Sequence, residues 1–175
     1  MAINVSSCFS SVLIRSFIYS DYTQVVWIHK EPEAHYTEYM PSKYYEELEH
    51  TADWALHVWG ANFEELLRNA AAGMQHLAGI EPSLEDGVTR VFELEAQDRE
   101  QMLVRWLEEL LFHIEARHAA FSVQVIEVTG DRRLVASVVE TPASPPKKAI
   151  KAVTYHNLRV EDTPRGVEAT IVFDV

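Results

Sequence analysis

The stretch Trp54-Ala55-Leu56-His57-Val58-Trp59-Gly60-Ala61-Asn62-Phe63-Glu64-Glu65-Leu66-Leu67 changes period in the middle. Trp54, Leu56 and Val58 alternate with Ala55, His57 and Trp59, the two-residue period of a strand. Gly60 interrupts it. Asn62 followed three residues later by Glu65 resembles a capping box, in which a side-chain oxygen and a main-chain N–H satisfy each other at a helix start. Phe63, Leu66, Leu67, Ala70, Ala71, Met74 and Leu77 then recur at three- and four-residue spacing, giving one apolar helical face, and Gly79 is a C-terminal stop. A strand running straight into a one-sided helix sets the pattern for the rest of the domain.

Upstream, Tyr44 to Glu49 reads as a short strand. Downstream, Val88 to Ala96 alternates again through Phe92, Leu94 and Ala96. Asp98 with Gln101 repeats the capping logic. Leu103, Trp106, Leu107, Leu110, Leu111 and Ile114 define a second amphipathic helix ending near Arg117. Phe121 to Val128 and Leu134 to Val139 are strands joined by Gly130-Asp131, a hairpin signal. Thr141 to Lys148 carries three prolines and reads as a loop. Ile150 to Val160 and Val167 to Phe173 are two further strands, separated by Pro164 to Gly166. The order β-β-α-β-α-β-β-β-β predicts an α+β two-layer sandwich, with both helices on one face of a mostly antiparallel or mixed sheet. Residues 41–175 suffice for a core that buries roughly two-thirds of the unfolded surface.

The first forty residues read differently. They are Ser-rich, with apolar patches at Val12 to Ile14, Phe17 to Tyr19 and Val25 to Ile28 but no sustained period. Met40 is followed at once by Pro41 and the well-patterned region. Residues 1–40 therefore read as an N-terminal extension and 41–175 as the domain. Two origins remain open for residues 1–39: an upstream extension of the reading frame ahead of a natural start at Met40, or a genuine, loosely ordered tail.

Composition bounds the function. The chain has 175 residues, of which 47% are hydrophobic and 24% charged, with a formal net charge of −12. Phosphate-backbone binding needs clustered cations, so direct nucleic-acid binding is disfavoured and any service to RNA would pass through another protein. One cysteine, Cys8, excludes an internal disulfide and multi-cysteine metal sites, and fits a reducing cytoplasm. No apolar run approaches the length of a membrane helix, and no positive charge precedes the Val12 to Ile14 patch as in a secretory signal. His57, His76 and His113 are separate, without a His-x-x-x-His or Cys/His cluster. A glycine-rich phosphate loop and a Gly-x-Ser-x-Gly elbow are also missing.

Three short segments could carry chemistry. His50-Thr51-Ala52-Asp53 sits at the junction of the first two strands, where polar side chains can project from a sheet end; by spacing alone it reads more readily as a turn. Lys151-Ala152-Val153-Thr154-Tyr155-His156 places Lys151, Val153 and Tyr155 on one side of a strand and Ala152, Thr154 and His156 on the other. Tyr155 and His156 suit acid–base work, but with no nucleophile or second base placed beside them an edge strand with a solvated lysine and a hydrogen-bonded histidine explains the segment better. The third is Phe173-Asp174-Val175. Phe173 continues the face of Val167, Ala169 and Ile171, so Asp174 points the other way. Bringing two ionised carboxylates together costs roughly 4 kcal/mol at 4 Å and an effective dielectric of 20. A hard divalent cation reverses that sign, and carboxylate oxygens are what calcium prefers. A solvated Asp174 at a frayed end is the alternative.

Taken in order, five pieces resemble the archease family from about Tyr44 to Val175. They are Glu49-His50-Thr51-Ala52-Asp53; Gly60 with the Glu64-Glu65-Leu66 helix and its Ala70-Ala71 pair; Trp106-Leu107-x-Glu109-Leu110-Leu111; Lys151 to His156; and the closing Asp174-Val175. Trp54-Ala55 departs from the pattern, since relatives commonly carry a small aliphatic residue and Gly there. The resemblance implies a cytoplasmic accessory protein without catalysis of its own. Its partner is an RtcB-type RNA ligase of tRNA splicing and RNA repair, whose guanylylation and multiple turnover it promotes. RNA is met only indirectly, and no membrane is involved. The resemblance also implies a divalent metal, calcium, held by Asp53, Asp174 and Val175, with His50, Lys151, Tyr155 and His156 supporting the tip or contacting the partner. Two rivals stay in view: a metal-dependent phosphoester hydrolase using Asp53 and Asp174, and a chaperone-like modulator of nucleic-acid-processing proteins.

Overall fold

The computed structural model of the protein describes residues 44–48, 53–80 and 87–175. In chain order the elements are β1 (Tyr45–Leu48), β2 (Trp54–Gly60), α1 (Phe63–Leu77), β3 (Val88–Glu95), α2 (Arg99–Arg117), β4 (Ala119–Thr129), β5 (Arg133–Pro142), β6 (Ala152–Thr154), β7 (Val160–Thr163) and β8 (Gly166–Asp174). The reading of residues 1–40 as an extension lies outside the described residues.

Both helices begin as their sequences dictate. Asn62 Oδ1 accepts from Glu65 N at 2.8 Å, and Glu65 Oε2 accepts from Ala61 N at 2.7 Å. The second helix repeats the device: Asp98 Oδ1 accepts from Gln101 N at 2.7 Å, and Gln101 Oε1 from Gln97 N at 2.8 Å. Each box satisfies main-chain donors that a helix start otherwise leaves unpaired.

The α+β class, the two one-sided helices and the antiparallel pairing stand. The single sheet does not: the strands form two sheets. One is five-stranded, in the order β1-β2-β8-β6 with β7 also paired to β8; the other is three-stranded, in the order β3-β5-β4. All pairings among the described strands are antiparallel. The β4 edge shows why the sheets do not merge. Gln75 of α1 grips Phe121 by both main-chain groups, Oε1 accepting from Phe121 N at 2.7 Å and Nε2 donating to Phe121 O at 3.1 Å. Arg68 of the same helix donates to Val123 O, and to Gln124 O at 3.3 Å, where a bulge interrupts the β4–β5 register. Helix side chains thus occupy the hydrogen-bonding groups to which a further strand would pair.

The helices lie against both sheets, α1 on β2, β1, β8 and β4, and α2 on β3, β4, β5 and β6. Between them Leu56, Leu66, Leu67, Met74, Trp106, Leu107, Leu110, Ile171 and Phe173 are almost wholly buried. Burying each such side chain contributes about 1.5–3 kcal/mol. Trp106 carries a polar atom into this core, and its Nε1 donates to Leu67 O at 3.0 Å.

Strand β8 organises the five-stranded sheet. β2 runs along one edge of it, from Gly60 opposite Val167 to Trp54 opposite Phe173. The other edge is shared: β7 pairs with Gly166 to Ala169, and β6 with Val172 to Asp174. The stretch predicted as one strand, Ile150 to Val160, is therefore two. Asn157 adopts φ 53°, a left-handed conformation that Asn tolerates, and His156 N donates to Thr154 Oγ1 at 3.3 Å in a turn. The β7–β8 hairpin turns through Pro164 and Arg165 onto Gly166, at φ 129°, where an added Cβ would lie 2.1 Å from Gly60 O. Only glycine lets the hairpin close against the end of β2.

Candidate metal centre

The β2–β8 register ends with Trp54 opposite Phe173. Asp53 precedes the one and Asp174 follows the other, so the two aspartates flank the last pair of the ladder. Alternation settles their face. Leu56, Val58, Ala169, Ile171 and Phe173 pack into the core, whereas Asp53 and Asp174 lie on the side of Ala55, His57, Thr170 and Val172. Asp53 is half-buried and Asp174 exposed.

β6 closes the other flank. Ala152 pairs with Asp174, and Lys151 N donates to Asp174 O at 2.8 Å. The Lys151 ammonium then reaches across to Val175, donating to its main-chain oxygen at 2.7 Å. Val175 packs its side chain against the core while its oxygen faces Lys151. One end of the sheet thus gathers Asp53, Asp174, Val175 and Lys151 from the ends of three strands.

The other expected site residues lie elsewhere. Tyr155 and His156 are at the far end of β6, about 10 Å along the strand from the level of Ala152 at 3.3 Å per residue. Tyr155 is exposed and faces α2. Burial raises its phenol pKa, Glu108 and Asp98 raise it further, and Arg105 opposes them. His156 Nε2 lies 3.1 Å from Asn157 Nδ2. His50 falls outside the described residues.

Two features were not singled out from the sequence. Lys148, assigned to a loop, places its ammonium 4.4 Å from the centroid of the Trp54 ring, next to Asp53. The available signal was Lys147, Lys148 and Lys151 recurring in an acidic chain. His113, separate from the other histidines in sequence, is buried against the three-stranded sheet within 3.4 Å of both Glu109 Oε1 and Glu140 Oε2, and Glu140 also pairs with Arg90. The i,i+4 spacing of Glu109 and His113 was the only hint of that network.

The donor set suits a hard cation. Two carboxylates and a main-chain oxygen are oxygen ligands of the kind calcium and magnesium take, and the exposure of Asp174 leaves room for water to fill a shell of six to eight. Among the described residues neither imidazole nor thiolate accompanies them, and such an all-oxygen set suits zinc less well. Among the described residues no group of three or more His, Cys, Asp or Glu side chains is arranged to hold a metal, so the set depends on Val175 O as its third member.

A two-helix α+β domain with an oxygen-lined end to its central strand is the architecture these residues define. The sequence model of the Archease protein family (MTH1598/TM1083) matches residues 45–175. Protein archease of Methanosarcina mazei is 36% identical over 146 residues, covering 78% of this chain and 100% of that protein. Protein archease of Archaeoglobus fulgidus is 36% identical over 139 residues, covering 75% of this chain and 98% of that protein. The solution structure of Methanobacterium thermoautotrophicum protein 1598 superposes with a TM-score of 0.58 at 26% identity, covering 76% of this chain and 99% of that one. The crystal structure of a Thermotoga maritima protein described as "an archease, possible chaperone" has the same fold, with a TM-score of 0.56 at 24% identity, covering 74% of this chain and 96% of that one. The chain belongs to the archease family.

Proposed function

We propose that this protein is a cytoplasmic accessory factor of an RtcB-type RNA ligase, promoting guanylylation of the ligase and its multiple turnover in tRNA splicing and RNA repair. The observation that supports the reading is the β2–β8 register, whose last pair, Trp54 opposite Phe173, is flanked in sequence by Asp53 and Asp174. This is the position at which an archease would hold calcium.

Asp53, Asp174 and the main-chain oxygen of Val175 would hold the cation. Its chemistry there is electrostatic: it offsets two carboxylates and offers open coordination positions to a group of the partner. The residues themselves fix the geometry. Trp54 and Phe173 anchor the strand ends in the core, and Lys151 holds β6 and Val175 together. The net charge of −12 supports contact with the ligase, whose nucleotide site must be cationic, over direct contact with RNA. Among the described residues no helix is long and apolar enough to cross a membrane.

The test is ligase turnover and guanylylation with added wild-type protein, Asp53→Ala and Asp174→Ala. Stimulation by wild type and its loss in both variants is expected. Wild-type stimulation by both variants would remove the acidic end from the mechanism. A hydrolase would instead turn over phosphoesters without any ligase. A chaperone-like protein, as the Thermotoga relative is described, would bind many partners from native lysate rather than the ligase.

A further inference from the structure

Three of the four groups gathered at the end of β8 are oxygen donors, and the fourth is an ammonium already bound to one of them. Lys151 Nζ donates to Val175 O at 2.7 Å. A divalent cation using that oxygen would be brought beside the ammonium, and a doubly charged ion repels it twice as strongly as a single charge would. We infer that Lys151 is a built-in competitor for the divalent cation: its ammonium and calcium are alternative partners of Val175 O, so that binding calcium there requires the ammonium to leave that oxygen. The inference rests on the metal reading above and adds a role for Lys151 to it.

The surroundings confine the change to one side chain. Lys151 N is hydrogen-bonded to Asp174 O, Ile150 before it is buried, and Ala152 after it is paired in the β6–β8 ladder. The main chain of Lys151 is thus held while its four-carbon stem is free to rotate, a motion of picoseconds to nanoseconds. No segment need unfold for the oxygen to change partner. Lys148 does not replace Lys151, because its own ammonium lies over the Trp54 ring. Release would leave the Lys151 ammonium beside the bound cation and directed at solvent, available to an anionic group of the docked partner.

Calcium alone is the probe, titrated by calorimetry into the full chain. Lys151→Met removes the competitor and is expected to bind calcium about fivefold more tightly than wild type, the scale of one net hydrogen bond. Lys151→Arg keeps the charge and is expected to stay near wild type. A second reading is the acetylation of Lys151 by acetic anhydride, scored by mass spectrometry, which should rise on adding calcium while that of Lys148 does not. Unchanged or weaker calcium binding by Lys151→Met overturns the inference. If wild type binds calcium, Asp53→Asn abolishes that binding and Lys151→Met equals wild type, the competitor role alone falls. If neither wild type nor Lys151→Met binds calcium, the metal reading falls and the competitor role with it.

Discussion

Trp54 stands directly opposite Phe173 at the last paired step of β2 and β8, and both rings pack against the same core. The two aromatic side chains pin the strand ends whose next residues are Asp53 and Asp174. Like charges brought together there would destabilise the fold unless a cation joined them. Calcium at a hundredfold excess over its dissociation constant should therefore raise the unfolding free energy by about 2.7 kcal/mol. Urea denaturation with calcium and then with a chelator checks this. Asp53→Asn should abolish the calcium increment.

The paired capping boxes make the helix starts equally dependent on short side chains. Asn62→Ala and Asp98→Ala each remove an acceptor for a helical N–H, at 2.8 and 2.7 Å respectively. Each should cost about 1 kcal/mol in chemical denaturation, and the two losses should add, because the caps share no partner. Asn62→Asp keeps the acceptor and should remain near wild type.

Gln75 stands in for a neighbouring strand. Replacing it with Leu leaves Phe121 N–H and C=O at the β4 edge without their partner. The expected loss is about 2 kcal/mol, the cost of leaving part-buried main-chain groups unpaired. Amide exchange at Phe121 should accelerate before that of the β3–β5 ladder.

The alkaline limb of stability should carry the signature of Tyr155. Its pKa in the fold lies above the ordinary 10.0, chiefly through burial and then through the charges of Glu108 and Asp98. The folded state therefore keeps the phenol proton more tightly than the unfolded chain does. That contribution is fully present below pH 10 and is lost as the pH rises through the folded-state value. Tyr45, pushed up by burial, acts in the same direction. Denaturation from pH 8 to 11 should show a decline that Tyr155→Phe makes shallower.

The sequence carried the local structure well because capping and periodicity are local. Asn62 with Glu65, Asp98 with Gln101, and the apolar spacing through Phe63 to Leu77 each act within one or two turns, and the structure keeps them. Alternation says which side of a strand is buried but not which strand lies beside it, so the split into two sheets was not readable. It depends on Gln75 meeting Phe121, 46 residues away. The break after Thr154 was partly readable, since Asn157 is among the residues that accept a left-handed turn. β5 runs on to Pro142, opposite Ala119, where proline content suggested a loop; the last position of a strand tolerates the missing donor. At the site, alternation placed Asp174 on the face opposite Phe173, whereas the pairing of Trp54 with Phe173, which brings the two strand ends together, spans more than a hundred residues.

The most direct measurement is a crystal structure determined with calcium. One cation is expected at the end of β8, with oxygens of Asp53, Asp174 and Val175 within about 2.3–2.6 Å and the Lys151 ammonium turned away. Calcium bound at some other place, or the two aspartate side chains turned apart with no cation between them, would contradict the assignment of this end of the sheet as the metal centre.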